Sequence, residues 1–400
     1  MSARPAPHVV RRRRLTAVAL LLGVLAAAGV ISLLQGGSGA SRRPKVPAGL
    51  AQLAGGSPAS AAKAVVAKAR QLPLERQVDQ LFVVGLGGPS SADPSFATLR
   101  RHDWGGVLLD RRAWTGRRQV AALASAVRGA ARRAGHDSPL VVAAQDGGPE
   151  TAFPGLPPVP QPALTSPQAA AVQARDAAAA LRSLDVNMTL APIADVGAEG
   201  TPFKDVVFGG DPGVVANLTA GAVNGYLAGG IIPAVGHFPG QGGASQDPGS
   251  GTATVGLAVS DLRRRDLVPF RTIASRAPVM VMSNAVYAGY DGVTPAVLLS
   301  EVIGGLLRKE LRFRGVVMSD DLSVASAVLD KSSGEVAVGA LRAGADLLYL
   351  SGGAAEQEQA SQAVLEAVRR GRIGRARLQE ALLRVLALKR HYGITMPGAR

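Results

Sequence analysis

Nine polar residues end or closely follow short apolar runs in this chain: Gln145, Asp146, Asp195, His237, Ser283, Asn284, Asp320, Asp321 and Ser351. Carboxylates beside a histidine can transfer protons, attack an anomeric carbon or hold a divalent metal. One histidine with scattered carboxylates matches no metal-ligand spacing, so proton transfer and nucleophilic attack are expected, with no metal or cofactor. An aspartate at a strand end is also a common helix N-cap. Asp321 fits that role best, because a helical stretch starts close behind it at Leu322.

The elements that must carry these residues repeat along the chain. Apolar runs fall at 81–86, 105–110, 140–146, 186–192, 230–238, 278–285, 315–321 and 345–352, each bounded by Gly, Pro, Asn or Asp. Segments with helical periodicity lie between them at 117–134, 167–184, 212–228, 295–311, 334–342, 356–370 and 376–390. Strands apolar on both faces, alternating with helices, require a parallel sheet covered by helices, and eight such strands predict a closed (β/α)8 TIM-type barrel. A ligand reaches such a barrel at the rim formed by the C-terminal strand ends, where the polar residues fall. An open doubly wound sheet is the competing fold, but no G-x-G-x-x-G follows the first strand.

Upstream of the barrel, Arg11–Arg14 precede LTAVALLLGVLAAAGVISLL, an uncharged stretch over 15–34. At ~1.5 Å per residue it is long enough to cross a ~30 Å hydrocarbon layer. Residues 1–14 are therefore expected to be a basic cytoplasmic tail, 15–34 a transmembrane helix and everything beyond Leu34 extracytoplasmic. Small residues around Ser38–Ala40 keep a cleaved signal peptide, and hence secretion, as the alternative. A Gly/Ser/Pro/Ala linker over 35–58 leads to a barrel domain over 59–395.

The net charge of +15 is concentrated in this leader, since residues 1–74 hold eleven cations and no carboxylate, leaving +4 for the rest. With aromatics at 4% of the chain there is little to stack on bases, so no nucleic-acid partner is expected. The absence of cysteine excludes disulfides, thiolate metal sites, cysteine nucleophiles and cysteine-linked lipid anchors.

Several segments resemble the glycoside hydrolase family 3 β-N-acetylhexosaminidases of bacterial cell-wall turnover. They are LPLERQVDQLFVVG, WGGVLLD, QDGG, VNMTLAPIADV, FGGDPGVVANL, GHFPGQGG, VMVMSNAVY and LLRKELRFRGVVMSDDLS, in family order between residues 70 and 390. The resemblance implies a (β/α)8 barrel and a carbohydrate ligand. It also implies a retaining mechanism in which Asp320, first of the SDD-like pair, attacks the anomeric carbon. His237 is implied as a hydroxyl contact, and Gln145, Asp146, Asp195 and Asn284 are the further substrate-binding candidates.

The chain departs from the family pattern where charge is expected. Aligned from the shared HFPG, Asp247 falls on the aspartate of the family's acid/base dyad, but Gly249 stands where its histidine belongs. Gly236 replaces a lysine, Ala144 a substrate-binding aspartate and Val206 an arginine. The nucleophile is thus left without its histidine acid. Asp247 could replace it if its loop folded over the site, or form only a surface turn with Pro248 and Gly249.

Three readings follow. The first is a membrane-anchored glycosidase acting on N-acetylhexosamine-containing saccharides; the second is a barrel of the same descent that only binds glycan or an envelope partner. The third, an unrelated phosphate-binding barrel, would need a Gly-rich loop after the seventh strand, where SDDLS stands instead.

Overall fold

The computed structural model describes residues 58–394. The basic tail and the apolar stretch anticipated upstream, and all but the end of the linker, lie outside those residues. Among the described residues no helix is long and apolar enough to cross a membrane.

Ten strands occur in chain order: β1 (Phe82–Gly85), β2 (Gly106–Leu108), β3 (Leu140–Ala143), β4 (Met188–Thr189), β5 (Ile232–Phe238), β6 (Thr254–Val255), β7 (Val279–Met282), β8 (Val286–Tyr287), β9 (Val316–Asp321) and β10 (Leu347–Leu350). Eight of them close a barrel in the order β1-β10-β9-β7-β5-β4-β3-β2, with every neighbouring pair parallel. Each anticipated run supplies one of these strands. The reason is burial on both faces: β1, β3, β7 and β10 are buried at every position, so the strands read as uninterrupted apolar stretches.

The surrounding helices start where the sequence offers caps. Ser166 accepts from the Ala169 N–H ahead of helix Pro167–Ser183, Asp211 accepts from the Val214 N–H ahead of Pro212–Ala228, and proline opens both. The segment read as one helix over 295–311 is a short 3-10 turn, Ala296–Leu298, followed by a π-helix, Glu301–Glu310. Gly304 and Gly305 in its middle weaken the α preference. Helices Pro94–Arg101, Val259–Arg264 and Leu267–Ile273 are too short to show a period.

The face opposite the functional rim is tied by ion pairs. Asp346, at the start of β10, accepts from Arg308 (2.6 Å), Arg377 (2.5 Å) and Arg384 (3.1 Å). Its burial favours the neutral acid, but Arg384, Arg308 and Arg377 together hold its carboxyl below the usual range. Lys389, fully buried on the last helix, donates to Gln80 Oε1 (2.7 Å). The helix Arg375–His391 is thereby fastened across the bottom of the barrel.

Candidate active site

Two strands of the barrel carry one extra residue, and the extra residues lie beside the candidate side chains. Along β5, Val235 pairs with Met280 but Phe238 pairs with Met282; along β9, Met318 pairs with Leu347 but Asp321 pairs with Tyr349. In each case three steps on one strand match two on its neighbour, which defines a bulge and re-aims the residues within it. His237 sits in the first bulge and Asp320 in the second. Side chains take up the displaced ladder: Ser319 Oγ accepts the Tyr349 N–H (2.8 Å), and Asp195 accepts the His237 N–H (3.3 Å).

Both residues open into a rim pocket of about 290 Å³, at the small end of ligand sites, ~300–1,000 Å³. Asp146, Glu150, Asp247, Asn284 and Asp321 also line it, together with the apolar Ile193, Phe203 and Val206. Its size suits one sugar unit better than a chain of them.

His237 is the most elaborately held of these groups. Its Nδ1 lies 2.8 Å from Asp195 Oδ2, and the same carboxylate accepts the Gln241 N–H (2.8 Å). Burial alone would lower the histidine's pKa, but the charge and hydrogen bond of Asp195, helped by Asp320 and Asp247, raise it to about 9. At neutral pH the ring is therefore an imidazolium, and Nε2 is the donor left for a ligand.

Asp320 accepts the N–H of Asp321 (2.8 Å). Burial raises its pKa above the ordinary aspartate value, while the His237 cation and that N–H oppose the rise. Asp321 is the helix cap: it accepts from Ser323 N (3.0 Å) at the start of Leu322–Leu329 and from Ser351 N (3.0 Å). Asp320 is thus the strand-end carboxylate not used as a cap. Asn284 Nδ2 donates to the Asp321 carbonyl (2.8 Å), and its Oδ1 is buried with no partner among the described residues.

Two of the expected substrate contacts are placed elsewhere. Gln145 does not line the pocket; fully buried, it accepts the Phe153 N–H (2.9 Å) and donates to the carbonyls of Phe153 and Leu156. It is the brace of the loop after β3, because a buried loop backbone must be satisfied from within. Asp195 is likewise fully buried and lies behind His237, with no place in the pocket lining. Asp146 does line the pocket, and burial raises its carboxyl above the usual range, against the lowering effect of the Gly148 N–H.

Asp247 forms the surface turn anticipated for it and, though exposed, also reaches the pocket. It accepts the Gly249 N–H (2.7 Å) to cap the turn Pro248–Ser250. The root of this loop is tightly packed, since a Cβ at Gly242 would fall 2.2 Å from the Val196 carbonyl. Its tip is exposed. Gly249 and Val206, which stand at the family's histidine and arginine positions, both line the cavity. Glu150 was not anticipated, because an acidic residue in a Gly- and Pro-rich loop carries no periodic signal. Among the described residues no group of three His, Asp or Glu could hold a metal ion.

Comparison with known proteins agrees with this geometry. The family model described as Glycosyl hydrolase family 3 N terminal domain matches residues 73–388. A β-hexosaminidase of Stenotrophomonas maltophilia is 34% identical over 264 residues, 62% of this chain and 76% of that protein. Among solved structures, a glycoside hydrolase family 3 β-N-acetylglucosaminidase from a Paenibacillus species superposes with a TM-score of 0.76 at 32% identity, covering 81% of this chain. This chain spans 63% of that larger one. A β-N-acetylhexosaminidase from Beutenbergia cavernae gives a TM-score of 0.73 at 28% identity, covering 80% of this chain and 99% of that one.

Proposed function

The chain belongs to glycoside hydrolase family 3, and from that premise we propose that it hydrolyses terminal β-linked N-acetylhexosamine by a retaining mechanism with Asp320 as nucleophile. One observation carries the reading: a strand-end carboxylate, free of any capping role, shares a sugar-sized pocket with an imidazolium. Asp320 attacks the anomeric carbon as the glycosidic C–O bond breaks and the aglycone oxygen departs, and water then cleaves the resulting glycosyl ester to release the sugar and restore the carboxylate. His237 donates to a sugar hydroxyl through Nε2 and favours the ionised form of Asp320. The unpartnered Oδ1 of Asn284 suits a donor such as an acetamide N–H.

The acid is the weak part of the site. Asp247 is the pocket carboxyl on the loop after β5, and we assign it that role in place of the missing histidine. Loss of an effective general acid costs ~10²–10⁴-fold, so hydrolysis should favour substrates that need little protonation to depart. The placement belongs to the same proposal: Arg11–Arg14 ahead of the uncharged 15–34 stretch support an anchored, outward-facing barrel acting on cell-wall or related saccharides.

The test is hydrolysis of an activated aryl N-acetyl-β-glucosaminide and of the matching β-glucoside by the full chain, with Asp320→Asn beside it. The reading predicts a burst of one phenol per site on the N-acetylated substrate, then a slower rate that azide accelerates, and neither with Asp320→Asn. If no phenol appears from any activated substrate, the barrel binds saccharide without cleaving it. The cavity-lining Gly249 and Val206, in place of charged groups, are the features that favour this second reading.

A further inference from the structure

At the end of the barrel opposite the active site is a second cavity, of about 400 Å³, in the loops that lead into β7 and β9 and beside the end of the last helix. Its basic lining residues are Arg276, Arg312, Arg314 and His391, with no carboxylate among the lining residues. None of the four has an ion-pair partner among the described residues. On the same face Arg308, Arg377 and Arg384 are paired closely around Asp346. Three guanidinium groups gathered around one cavity repel one another unless an anion joins them.

The backbone adds an independent observation. Arg312 has φ +55°, in the left-handed region. Apart from the glycines, the described residues at positive φ are two aspartates and this arginine. Aspartate tolerates that conformation through local hydrogen bonding, whereas a long side chain there carries a steric cost that glycine would avoid. Around it the loop is held firmly. Phe313 is fully buried between the exposed Arg312 and Arg314, and Arg308 donates to the carbonyls of Phe313 (3.2 Å) and Gly315 (2.7 Å). Both arginines are thus presented to one cavity on a fixed turn, one of them against its backbone preference.

We propose that this cavity binds a phosphate-ester group. Phosphate oxygens can accept from several guanidinium forks at once, whereas a lone carboxylate is satisfied by one bidentate arginine. The shared chemistry fits either a soluble phosphate ester or a phospholipid headgroup.

The full chain in neutral detergent is titrated by calorimetry with glycerol 3-phosphate, and separately with micelles doped with phosphatidylglycerol, at fixed ionic strength. The controls are Arg312→Gly/Arg314→Gln and Arg276→Gln, since any lipid binding by the N-terminal arginines is common to all three chains and cancels in the comparison. One saturable site per chain, weakened about tenfold or more in the double variant, is expected. Arg312→Gly alone should leave Tm unchanged or raise it, which separates lost binding from lost folding. Saturation of that site by doped micelles assigns a lipid source, and saturation by glycerol 3-phosphate alone assigns a soluble one. Absence of saturable binding to both probes, or equal affinity in the variants, overturns the proposal.

Discussion

On the β5–β9 side of the rim pocket, each polar group facing the cavity has another behind it. Asp195 holds His237, the Asp321 N–H meets Asp320, and the Asp321 carbonyl orients Asn284. On the loop side, Asp247 is exposed and has only the N–H of its own turn, while the neighbouring Gly249 offers no side chain at all. The two sides differ in what fixes them. Barrel strands hold the first through a buried ladder, whereas a loop tip holds the second, and loop tips tolerate replacement at little cost to the fold. In the proposed mechanism nucleophile and acid can therefore be lost independently, and the strand-held side, with Asp320 and His237, is the one kept in place by its neighbours.

The most damaging change on the built side should be Asp320→Asn, which removes the attacking carboxylate while keeping its shape. Turnover of activated aryl glycosides should fall ~10³-fold or more, measured as phenol release. A fall below tenfold would mean that another carboxylate attacks.

The loop side is tested by repair. Gly249→His places an imidazole beside Asp247, and hydrolysis of substrates with poor leaving groups should rise ~10²-fold, the lower end of what a general acid supplies. A Cβ at 249 would lie 3.0 Å from Asp247 Oδ1, so the turn must give by a few tenths of an ångström. No gain in a variant that melts with the parent would place the acid elsewhere, with Asp146 and Glu150 the remaining candidates.

Asp195→Asn tests the backing of His237, and pH is the sensitive variable. Against the lowering effect of burial, Asp195, with help from Asp320 and Asp247, raises the histidine from 6.5 to about 9. Its contribution to stability is complete below about 6.5 and is lost as pH rises through about 9. Activity of the parent should therefore decline above about 9, and in Asp195→Asn that alkaline limb should move towards neutrality with a loss of ~10-fold at pH 8. An unmoved limb would show that Asp195 does not hold the proton on His237.

The smallest effect on catalysis should come from Gln145→Ala. It leaves a buried N–H and carbonyls unmet and should lower stability by ~1–3 kcal/mol. Calorimetry should show the lowered Tm while KM stays within about twofold of the parent. A large rise in KM with unchanged Tm would return Gln145 to the ligand.

The barrel was legible because strands such as VVMSDD and IPAVGHF are buried on both faces, and so read as apolar runs ending in polar residues. Asp320 and His237 were legible for the same reason, standing at the ends of those runs. The bulges were not, since an extra residue in a ladder leaves no trace in hydropathy. Depth was equally hidden: Gln145 and Asp146 are adjacent, yet one braces a loop and the other faces the cavity. Two-residue strands such as β6 and β8 are too short to carry an alternation. The capping role of Asp321 was readable, because the helix begins at the next residue.

The central claim is that a working nucleophile faces the pocket without an effective acid. A series of aryl N-acetyl-β-glucosaminides that differ only in the pKa of the departing phenol tests it most directly, read as kcat/KM against that pKa. Without acid assistance, negative charge builds on the departing oxygen, so log kcat/KM should fall steeply as the phenol becomes less acidic, and Gly249→His should flatten the line. A flat line in the parent chain would show that the departing oxygen is already protonated, and would contradict the account.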